Sequence, residues 1–566
     1  MKRGASRHTL DCMARDPDQG GAFVFDLVDD DTADLEGPLA RFGTAAGSDP
    51  DGAETDTGGP ATSAELGRRA RAFAPVAAVL AIVLGTGFAV DGLRDDRRME
   101  RMRDAPGGVV DVSSPLEETW AWDGTVGSPQ ATAQGRGNDV ALLGDLLAFQ
   151  SGRELIALDP ATGDEAWVIP LGSFPDCGPT GAAGWDEVTT PTLVCLAGPP
   201  EAREAMVIGP DGVLAGGRPL DAADERRYGH ARPGPDGLVL RAKRVGPEPA
   251  EGSGDVECTE SWECTGTVES GRDLEVRAED AVTGEERWTA TVPFRPTPAD
   301  QCNSWAGMPW DSTDSTTDLD EMIDADSFGA QFTGGLVQLH GCGVTAGLTS
   351  GGEVLGLEIE PGAGGVLSLR AGGYVEYEYD DDGVRTTLYA ADGGVVDEVD
   401  GYVSEPGAVD GPESTLLLAF GGEESRLRAY RTDGTTLWDA PVLDGAQVVI
   451  AQVAGSAIVA SWSGAVYGLD LANGEERWTW NATDPNDEGP GDLFVTRGFT
   501  DGRSVLLVTH DGAGATGLVA LDALSGELLW ERPGSTDPGD AAFMNGMVAV
   551  DGNLLEITSH GVRGLG

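Results

Sequence analysis

Short apolar runs that lead into a polar turn recur along the chain beyond residue 116. The runs LIAL (155–158), VYGL (466–469) and LVAL (518–521) each end at an Asp, and LEVRAE (274–279) is followed by one in the same way. Runs of this length that are bounded by turn residues predict β-strands. This part of the chain is therefore expected to consist of strands that return on themselves through tight turns.

One motif is repeated in the turns that follow these runs. It consists of an Asp, then a Thr, Asn or Ser three residues later, a Gly directly after it, and a Trp four residues beyond the Gly. Trp is scarce, with 13 residues in the chain, so chance does not explain the repetition. The four matches are DPATGDEAW (Asp159, Gly163, Trp167), DAVTGEERW (Asp280, Gly284, Trp288), DLANGEERW (Asp470, Gly474, Trp478) and DALSGELLW (Asp522, Gly526, Trp530).

Each copy of the motif predicts a β-hairpin. The Asp and the small polar residue can accept hydrogen bonds from turn amides, and the Gly can adopt the left-handed conformation. The Trp then lies on the returning strand, where its indole can wedge between neighbouring sheets and bury a large apolar area. The repeated motif is therefore interpreted as structural.

Weaker copies with a DG or GG turn fill the intervals between the four matches. They are GPDGVL, TSGGEVL, AADGGVV and RTDGTTLW, and the last contains Gly434 and Trp438. The turn glycines then fall at positions 163, 212, 284, 352, 393, 434, 474 and 526. Because these glycines are 40 to 72 residues apart, each unit has room for about four strands, as a propeller blade requires.

The stretch IALDPATGDEAW resembles the repeat of the PQQ-like β-propeller family, whose blades end in a motif of the form ALDxxTGxxxW. The resemblance covers roughly residues 116 to 566 and implies an all-β toroid, commonly with eight blades. It also implies a relation to quinoprotein alcohol dehydrogenases and to the lipoprotein scaffold of outer-membrane barrel assembly. In that family the repeat itself is structural, so the resemblance alone does not imply a bound quinone.

The two ends of this region predict how the ring closes. EETWAW (117–122) is similar to EERWTW (475–480), the final strand of a unit, whereas the chain ends in LLEITSHGVRGLG, which reaches a candidate turn at Gly561 and lacks its Trp. We expect the N-terminal strand to form the outer strand of the last blade, with Trp120 in place of the missing indole. Such pairing removes both sheet edges. Gly561 makes a ninth candidate turn, but eight blades is the expected number.

One segment before the propeller is apolar enough to cross a membrane. AFAPVAAVLAIVLGTGFAV (72–90) has 19 residues without a charge, close to the length that a bilayer requires. We predict a transmembrane helix over 71–91, a disordered acidic cytoplasmic tail over 1–70 and a charged stalk over 92–115. A cleaved signal peptide is the alternative, but its n-region would be about 70 residues long, where a few are usual.

The cysteines predict the side of the membrane on which the propeller lies. One, Cys12, precedes the apolar segment, and six follow it, without the paired CxxC spacing of a zinc site. An even number on one side favours disulfides in an oxidising compartment, although buried free thiols are the alternative. We therefore expect an extracytoplasmic propeller on a single-pass cell-membrane protein. Pairing of sequence neighbours would give Cys177–Cys195, Cys258–Cys264 and Cys302–Cys342.

The charge of the chain restricts its partners. It has 37 basic and 96 acidic residues, for a formal net charge of −59. Such a surface repels nucleic acid and anionic lipid and favours cations or basic partners. Most of this charge is interpreted as a solvated surface rather than a dedicated binding face.

Few residues suggest catalysis. Quinoprotein dehydrogenases use an Asp base, a calcium ion over the quinone and typically a disulfide between adjacent cysteines, and no two cysteines are adjacent here. GAGATG (512–517) fits GxGxxG, but it joins two strand-like runs and is interpreted as a hairpin. The acidic runs YDDDG (379–383) and DPNDEGPGD (484–492) leave calcium open, although exposed loops explain them better in so acidic a chain. The histidines are scattered singly at His8, His230, His340, His510 and His560.

Two functions remain from the sequence. The first is a membrane-anchored, non-enzymatic propeller that binds a protein, peptide or cell-envelope ligand as a scaffold or sensor ectodomain, with no catalytic, metal or cofactor residue assigned. The second is a quinone-dependent dehydrogenase or another propeller enzyme with its site at the central channel.

Overall fold

The structure is a computed structural model of the 566-residue chain. It describes residues 94–566 apart from the following positions: 128–138, 183–188, 200–201, 248–255, 259–263, 301, 303–327, 334–335, 362, 371, 381–382, 391–393, 412–415, 421–426, 432–434, 441–442, 444–445, 462–463, 482–493, 511–515, 534–545 and 559. The predicted tail and the predicted membrane helix over 71–91 therefore lie outside the described residues. Within the described part, no helix combines the length and the apolar character needed to span a bilayer.

The described residues form nine antiparallel blades of four strands each, and the chain runs through each blade from one edge to the other. The first four blades contain the strands Asp139–Leu143, Leu146–Ser151, Glu154–Leu158 and Glu165–Pro170 (blade 1); Asp176–Gly178, Leu193–Ala197, Glu204–Ile208 and Leu214–Pro219 (blade 2); Ala231–Pro233, Leu238–Val245, Asp273–Asp280 and Glu286–Val292 (blade 3); and Phe328–Thr333, Leu336–Gly341, Val344–Thr349 and Val354–Leu355 (blade 4).

The remaining blades follow the same order. They contain Gly364–Ser368, Tyr374–Asp380, Gly383–Tyr389 and Val395–Asp400 (blade 5); Tyr402–Ser404, Leu416–Phe420, Leu427–Arg431 and Thr436–Ala440 (blade 6); Ala446–Val453, Ser456–Ser461, Ala465–Asp470 and Glu476–Asn481 (blade 7); Phe494–Thr500, Ser504–His510, Thr516–Asp522 and Leu528–Arg532 (blade 8); and Gly546–Val550, Asn553–Thr558, Gly561–Leu565 and Glu118–Asp123 (blade 9).

Minor elements decorate this ring. The main helical segments are residues 94–104, the α-helix Ala222–Tyr228 and the 3₁₀ turn Pro235–Gly237, and positions 202, 299, 300 and 302 are also helical. Seven short strands lie at blade edges or in connections: Gly181–Ala182, Thr189–Thr190, Glu257–Cys258, Cys264–Thr265, Thr267–Val268, Thr297–Pro298 and Ala408–Val409.

The burial of each strand follows its place in the blade. The middle strands are packed between two neighbouring sheets, so both of their faces are apolar, as in Glu154–Leu158, where all residues after the first are buried. The fourth strands lie at the rim and alternate exposed with partly buried residues, as in Glu165–Pro170. This difference explains why the apolar runs of the sequence precede the turn and why the Trp follows it.

The ring closes as the sequence predicts. Glu118–Asp123 pairs antiparallel with Gly561–Leu565, with Trp120 opposite Gly564 and Trp122 opposite Val562. The chain terminus is held in the same ladder, because the amides of Glu117 and Gly566 each donate to the carbonyl oxygen of the other, both at 3.0 Å. The N-terminal strand is therefore the outer strand of blade 9.

The expected number of eight blades is wrong, and the structure has nine. Gly561 begins the third strand of blade 9, so it lies at a second-to-third strand turn, unlike Gly163, which lies between a third and a fourth strand. Eight blades contain a turn glycine of the repeat, and the ninth has none, because its fourth strand comes from the other end of the chain. Counting turns therefore finds one blade fewer than the ring contains.

Residues 94–116, most of which the sequence assigns to a charged stalk, pack against the described propeller. Met102 is fully buried, and it clusters with Ala105 and Val409. Val109, Val112 and Leu116 belong to a core cluster with residues of blades 8 and 9. We call residues 94–116 the N-terminal clasp. Because charged residues surround its apolar positions, the sequence pattern of this segment does not indicate that they are buried.

Two of the expected disulfides are present. Cys177–Cys195 and Cys302–Cys342 are bonded, and both confirm the pairing of sequence neighbours. Cys264 is also disulfide-bonded, and its backbone pairs directly with that of Cys258 across a two-stranded ladder. Cys195, Cys302 and Cys342 are almost fully buried, which removes them from solvent in the folded chain.

Candidate functional site

The Asp of each repeat organises its own turn. The Asp159 Oδ1 atom accepts hydrogen bonds from the amides of Ala161 at 2.8 Å and Thr162 at 3.2 Å, and the Gly163 amide donates to the Asp159 carbonyl oxygen at 2.8 Å. Amides of the following residues bond to the corresponding carboxylates in the other three copies, at Asp280, Asp470 and Asp522. The carboxylate thus satisfies turn amides that would otherwise lack a partner.

These contacts stabilise the charged form of the carboxylate. The hydrogen bond from the Thr283 amide, helped by the Arg287 guanidinium, lowers the pKa of Asp280 to about 2. The Arg477 side chain, followed by the Ala472 amide, lowers the pKa of Asp470 in the same way. A shift of this kind is expected wherever a carboxylate accepts several hydrogen bonds.

The Trp of each repeat docks on the turn of the next blade. The indole nitrogen Nε1 of Trp167 in blade 1 donates to the carbonyl oxygen of Pro210 in the blade 2 turn at 2.9 Å. The same bond joins blade 3 to 4, 6 to 7 and 7 to 8. The donors and acceptors of these three bonds are Trp288 and Ser350, Trp438 and Leu471, and Trp478 and Ala523.

Ring closure uses the same contact. Trp120 donates to the Pro160 carbonyl oxygen at 3.2 Å, which joins blade 9 to the turn of blade 1. Trp530 of blade 8 faces blade 9, which has no turn between its third and fourth strands. Its indole nitrogen donates instead to the Val112 carbonyl oxygen at 2.8 Å. The N-terminal clasp therefore takes the place of the missing turn in blade 9.

Most of the described turn glycines are required because an indole lies directly on them, whereas Arg218 lies against Gly284. Gly212 has φ of 68°, and a Cβ atom there would lie 2.5 Å from Cγ of Trp167. A side chain at this position would be strained twice, by the left-handed backbone and by the ring. Gly163, Gly284, Gly474 and Gly526 also have positive φ, whereas Gly434 lies outside the described residues.

The contact between blades 2 and 3 departs from this pattern. Gly216 occupies the position of the Trp, four residues after Gly212, and Val282 of blade 3 lies against it. Next to this point Arg218 of blade 2 forms an ion pair of 2.5 Å with Glu279 of blade 3. The indole is thus replaced by a charged contact.

Glu279 is the centre of a buried charge cluster. Glu279 is 2% exposed. Its carboxylate forms ion pairs with Arg218, with Arg277 Nε at 3.1 Å and with Arg241 Nε at 3.3 Å. Three guanidiniums around one carboxylate leave a local excess of positive charge in a strongly acidic chain. No local sequence pattern marks this cluster, because its members lie on three strands and none belongs to a repeated motif.

A small cavity lies beside this cluster. Its lining is Arg203, Leu220, Asp221, Ala222, Glu225, Ala231 and Arg241. Arg241 is 1% exposed, and its Nη2 atom has no hydrogen-bond partner among the described residues. The cavity volume is about 10 Å³, which matches a single water molecule. It can therefore hydrate the guanidinium, but it has no room for an organic ligand.

The single histidines have local roles where the structure describes them. Burial lowers the pKa of His340, which favours its neutral form. His510 Nε2 lies 3.0 Å from Thr496 Oγ1, and His230 Nδ1 contacts the carboxylate of Glu225. No group of three or more potential metal ligands occurs within the described ranges.

The remaining sequence motifs are placed only in part. Thr516 and Gly517 of GAGATG begin the strand Thr516–Asp522, and the preceding four residues lie outside the described positions. In the acidic run 379–383, Asp381 and Asp382 also lie outside them, as does the whole of 484–492. Calcium at these runs stays the less favoured alternative, and the described residues do not test it.

The nine four-stranded blades, the Asp-turn-Trp repeat and the closure by an N-terminal strand define a β-propeller of the PQQ-like repeat class. Residues 272–562, just over half of the chain, match the family model described as "Outer membrane protein assembly factor BamB". The chain belongs to this family. No protein with a curated description matches the sequence.

Three solved structures are similar over most of the chain. BamB from Moraxella catarrhalis has 12% identity and a TM-score of 0.34, and the match covers 80% of this chain and 99% of that one. The computationally designed Ika8 protein has 10% identity, a TM-score of 0.34 and coverage of 80% and 98%. The Dos1 propeller has 9% identity, a TM-score of 0.36 and coverage of 80% and 94%.

Proposed function

We propose that the protein is a membrane-anchored, extracytoplasmic and non-enzymatic scaffold or sensor ectodomain that binds a protein, a peptide or a cell-envelope ligand. The observation that carries the proposal is the use of the repeated residues, since Asp, Gly and Trp of each unit serve to join blades into a ring. A rigid ring with variable loops is a general platform for binding. The family is described as an assembly factor for outer membrane proteins, which is a role in protein binding.

Two features support an extracytoplasmic, anchored propeller. The uncharged segment 72–90 is long enough for a bilayer, and it immediately precedes the region that folds as a propeller. Two disulfides follow this segment, and disulfides persist in oxidising compartments. The formal charge of −59 favours a basic partner and disfavours nucleic acid.

The topology can be tested on intact cells. A membrane-impermeant protease should degrade the propeller and leave an N-terminal tag intact, while cells permeabilised with detergent serve as the control for access. A propeller that resists the protease until permeabilisation would refute the extracytoplasmic assignment.

The binding function can be tested by photo-crosslinking from two sides of the ring. Leu524, which is 55% exposed, lies in a third-to-fourth strand turn, and the exposed Arg153 lies in a second-to-third strand turn. Because strands alternate in direction, these two turns lie at opposite ends of the blades. A crosslinker at one position should capture a partner that the other does not, and equal capture at both would argue against a specific surface.

The enzymatic alternative has its own assay. The purified full-length chain is mixed with pyrroloquinoline quinone and calcium, and dye reduction is followed with alcohol or sugar substrates. The scaffold proposal predicts no turnover above that of the heat-denatured chain. Substrate-dependent dye reduction would replace it with the dehydrogenase alternative.

A further inference from the structure

The outer strand of blade 2 differs in charge from the outer strands of the other blades. This strand, Leu214–Pro219, has the sequence LAGGRP and contains no carboxylate, although the chain has 96 acidic residues. Every other outer strand of five or more residues in the described ring contains at least one Asp or Glu. These strands are Glu165–Pro170, Glu286–Val292, Val395–Asp400, Thr436–Ala440, Glu476–Asn481, Leu528–Arg532 and Glu118–Asp123.

The missing carboxylates matter because this strand has an open edge. An outer strand has one row of backbone N–H and C=O groups without a partner in its own sheet, and proteins commonly block such edges with charged side chains. Leu214–Pro219 pairs with Glu204–Ile208 on one side, and no second strand pairs with it in the described part of the chain. The outer edge of blade 2 therefore lacks the block that the other blades carry.

Two consecutive glycines leave the backbone of this strand accessible. A Cβ atom at Gly216 would lie 2.7 Å from Val282 Cγ1, and one at Gly217 would lie 2.6 Å from the Ala205 carbonyl oxygen, so packing within the ring explains both residues. The consequence for the edge is that two positions in a row have no side chain, and Gly217 and Ala215 are exposed. Glycine inside a strand often marks a place where another backbone approaches closely.

The remaining side chains of the edge are apolar or already paired. Val213 is 59% exposed and Leu214 is 55% exposed at its beginning. Arg218, the one cation of the strand, forms an ion pair of 2.5 Å with Glu279 of blade 3, and its side chain is 14% exposed. A strand that pairs with this edge therefore meets an apolar surface without an unpaired charge.

Carboxylates stand at both ends of the open edge. Asp211 and Asp221 are exposed, and each is held in place by accepting one backbone amide, from Val213 at 3.1 Å and from Ala223 at 2.8 Å. They favour basic residues at the ends of an added strand. The formal net charge of −59 disfavours a second copy of the same chain as the added strand, because two such chains repel each other.

We propose that the outer strand Leu214–Pro219 of blade 2 binds an extended segment of a partner protein by β-strand addition. The added segment has no Asp or Glu among its paired residues and carries Lys or Arg at its ends. Main-chain hydrogen bonds provide the affinity in this mode of recognition, and the flanking side chains provide the specificity. The inference rests on the proposed binding function and names the place and the chemistry of the contact.

Peptides test the expected chemistry of the added segment. Random dodecapeptides displayed on phage are selected on the purified full-length chain. The selected sequences should share a run of about four residues without Asp or Glu, which is the length of the open edge, next to a Lys or Arg. Selected peptides that are rich in Asp or Glu would contradict the proposal.

Methylation of the peptide backbone tests strand addition directly. The tightest-binding peptide is synthesised in two forms, with N-methyl groups on the amides of its odd or of its even residues, because alternate amides of a strand point to opposite sides. One form should bind the unmodified chain about tenfold or more weakly than the parent peptide, because its hydrogen bonds to the edge are lost, and the other should retain binding. Equal calorimetric affinities for the two forms would overturn the proposal.

Two matched variants locate the binding edge. Ala215→Glu should weaken binding of the parent peptide by about tenfold or more, because the added strand would cover the new carboxylate. Ala121→Glu places the same residue at an exposed alanine on the outer strand of blade 9 and should leave binding unchanged. Equal peptide affinities for the two variants would refute the edge of blade 2 as the site, whereas the binding function would stand, since the peptide would still bind elsewhere.

Hydrogen exchange on the unmodified chain needs no variant to fold. The bound peptide should slow exchange at the amides of Ala215 or Gly217 and leave the outer strand of blade 9 unchanged. Slower exchange only at other blades would contradict the proposal. Self-association of the chain that Ala215→Glu abolishes would identify a second copy as the occupant of the edge and would overturn the assignment to a different partner.

Discussion

At the scale of single residues, the repeat works because three residue types perform three different tasks. Asp159 closes its turn through amide hydrogen bonds, Gly163 provides the left-handed backbone, and the indole of Trp120 fills the space above that glycine. The indole also bonds to a carbonyl oxygen of the turn. Where a repeat Trp is present, as between blades 9 and 1, it ties one blade to the next by an apolar contact and a hydrogen bond, and both are lost when the Trp is removed.

Trp120→Ala should destabilise the protein as loss of an ordinary repeat Trp does. Trp120 is partly buried and Trp478 is 8% exposed, so we expect a loss of about 2 to 4 kcal/mol for Trp120→Ala and about 3 to 5 kcal/mol for Trp478→Ala. Denaturant unfolding measures both. The control is Ala121→Ser, at an exposed position of the same strand. If Trp120→Ala were as silent as the control, the N-terminal strand would not contribute to closure.

Asp280 should make the stability of its turn dependent on acid. Hydrogen bonds to its charged carboxylate lower its pKa in the folded chain from the ordinary value of 3.8 to about 2, so its stabilising effect is complete above pH 4 and disappears as the pH falls towards 2. Melting curves of the unmodified chain and Asp280→Asn should differ at neutral pH and converge over this interval. Asp164→Asn, at an exposed position of the blade 1 turn, is the control. A difference that persisted unchanged at pH 2 would contradict the expected titration.

At the scale of elements, the N-terminal clasp substitutes for a turn that blade 9 lacks. Its backbone forms three hydrogen bonds with blades 8 and 9. The Val109 amide donates to the Thr500 carbonyl oxygen at 2.8 Å, and the Val110 amide donates to the Gly552 carbonyl oxygen at 2.9 Å. The Val112 carbonyl oxygen accepts from the indole nitrogen of Trp530. The clasp therefore connects the hairpins formed by the first two strands of blade 8 and of blade 9, and it provides the acceptor for the indole of Trp530.

Asp501 holds the clasp in position. It is 2% exposed, its carboxylate accepts the amides of Arg503 at 2.9 Å and Ser504 at 2.7 Å, and it faces Arg98 at 3.4 Å. Asp501→Ala leaves these donors unpaired, so we expect a loss of about 2 to 4 kcal/mol. Hydrogen exchange should become faster at the amide of Val109.

The matched control for that variant is Asp159→Ala, which removes two turn amide contacts in blade 1. It should speed exchange in its own turn and leave Val109 protected. Equal exchange at Val109 in both variants would show that Asp501 has no particular role in the clasp.

At the scale of the whole molecule, a strongly acidic chain is closed into a ring. Its net charge of −59 opposes compaction through self-repulsion, although individual ion pairs such as Arg218 with Glu279 offset this locally. The pairing of Glu118–Asp123 with Gly561–Leu565 joins the first and the last strand of the propeller. Repulsion and closure therefore act against each other over the whole ring.

Salt should raise the melting temperature. Between about 0.01 M and about 1 M sodium chloride, the Debye length falls from about 30 Å to about 3 Å, which screens repulsion between exposed carboxylates. The control is the same titration near the sequence pI of about 4.1, where the net charge vanishes and the gain should be much smaller. A melting temperature that falls with salt at neutral pH would mean that attractive pairs outweigh the repulsion.

The sequence by itself determined the repeat, the propeller class and the closing strand. The residues that form a turn are close together in the sequence, so Asp159, Gly163 and Trp167 can be recognised within nine consecutive residues. The similarity of EETWAW to EERWTW likewise lies within six consecutive residues. The two disulfides between sequence neighbours follow the same logic, because Cys177 and Cys195 are 18 residues apart on paired strands. Each of these features depends on short-range order that the chain carries in its own pattern.

The tertiary structure alone decided the ninth blade, the clasp and the charge cluster around Glu279. Trp530 and Val112 are 418 positions apart, and only ring closure brings them together. Arg218 and Glu279 come from adjacent blades, and no local pattern marks such pairs. A hairpin within a blade is determined by residues that are close together in the sequence. Contacts between blades depend instead on how one sheet is rotated against the next, and no local sequence pattern specifies that rotation.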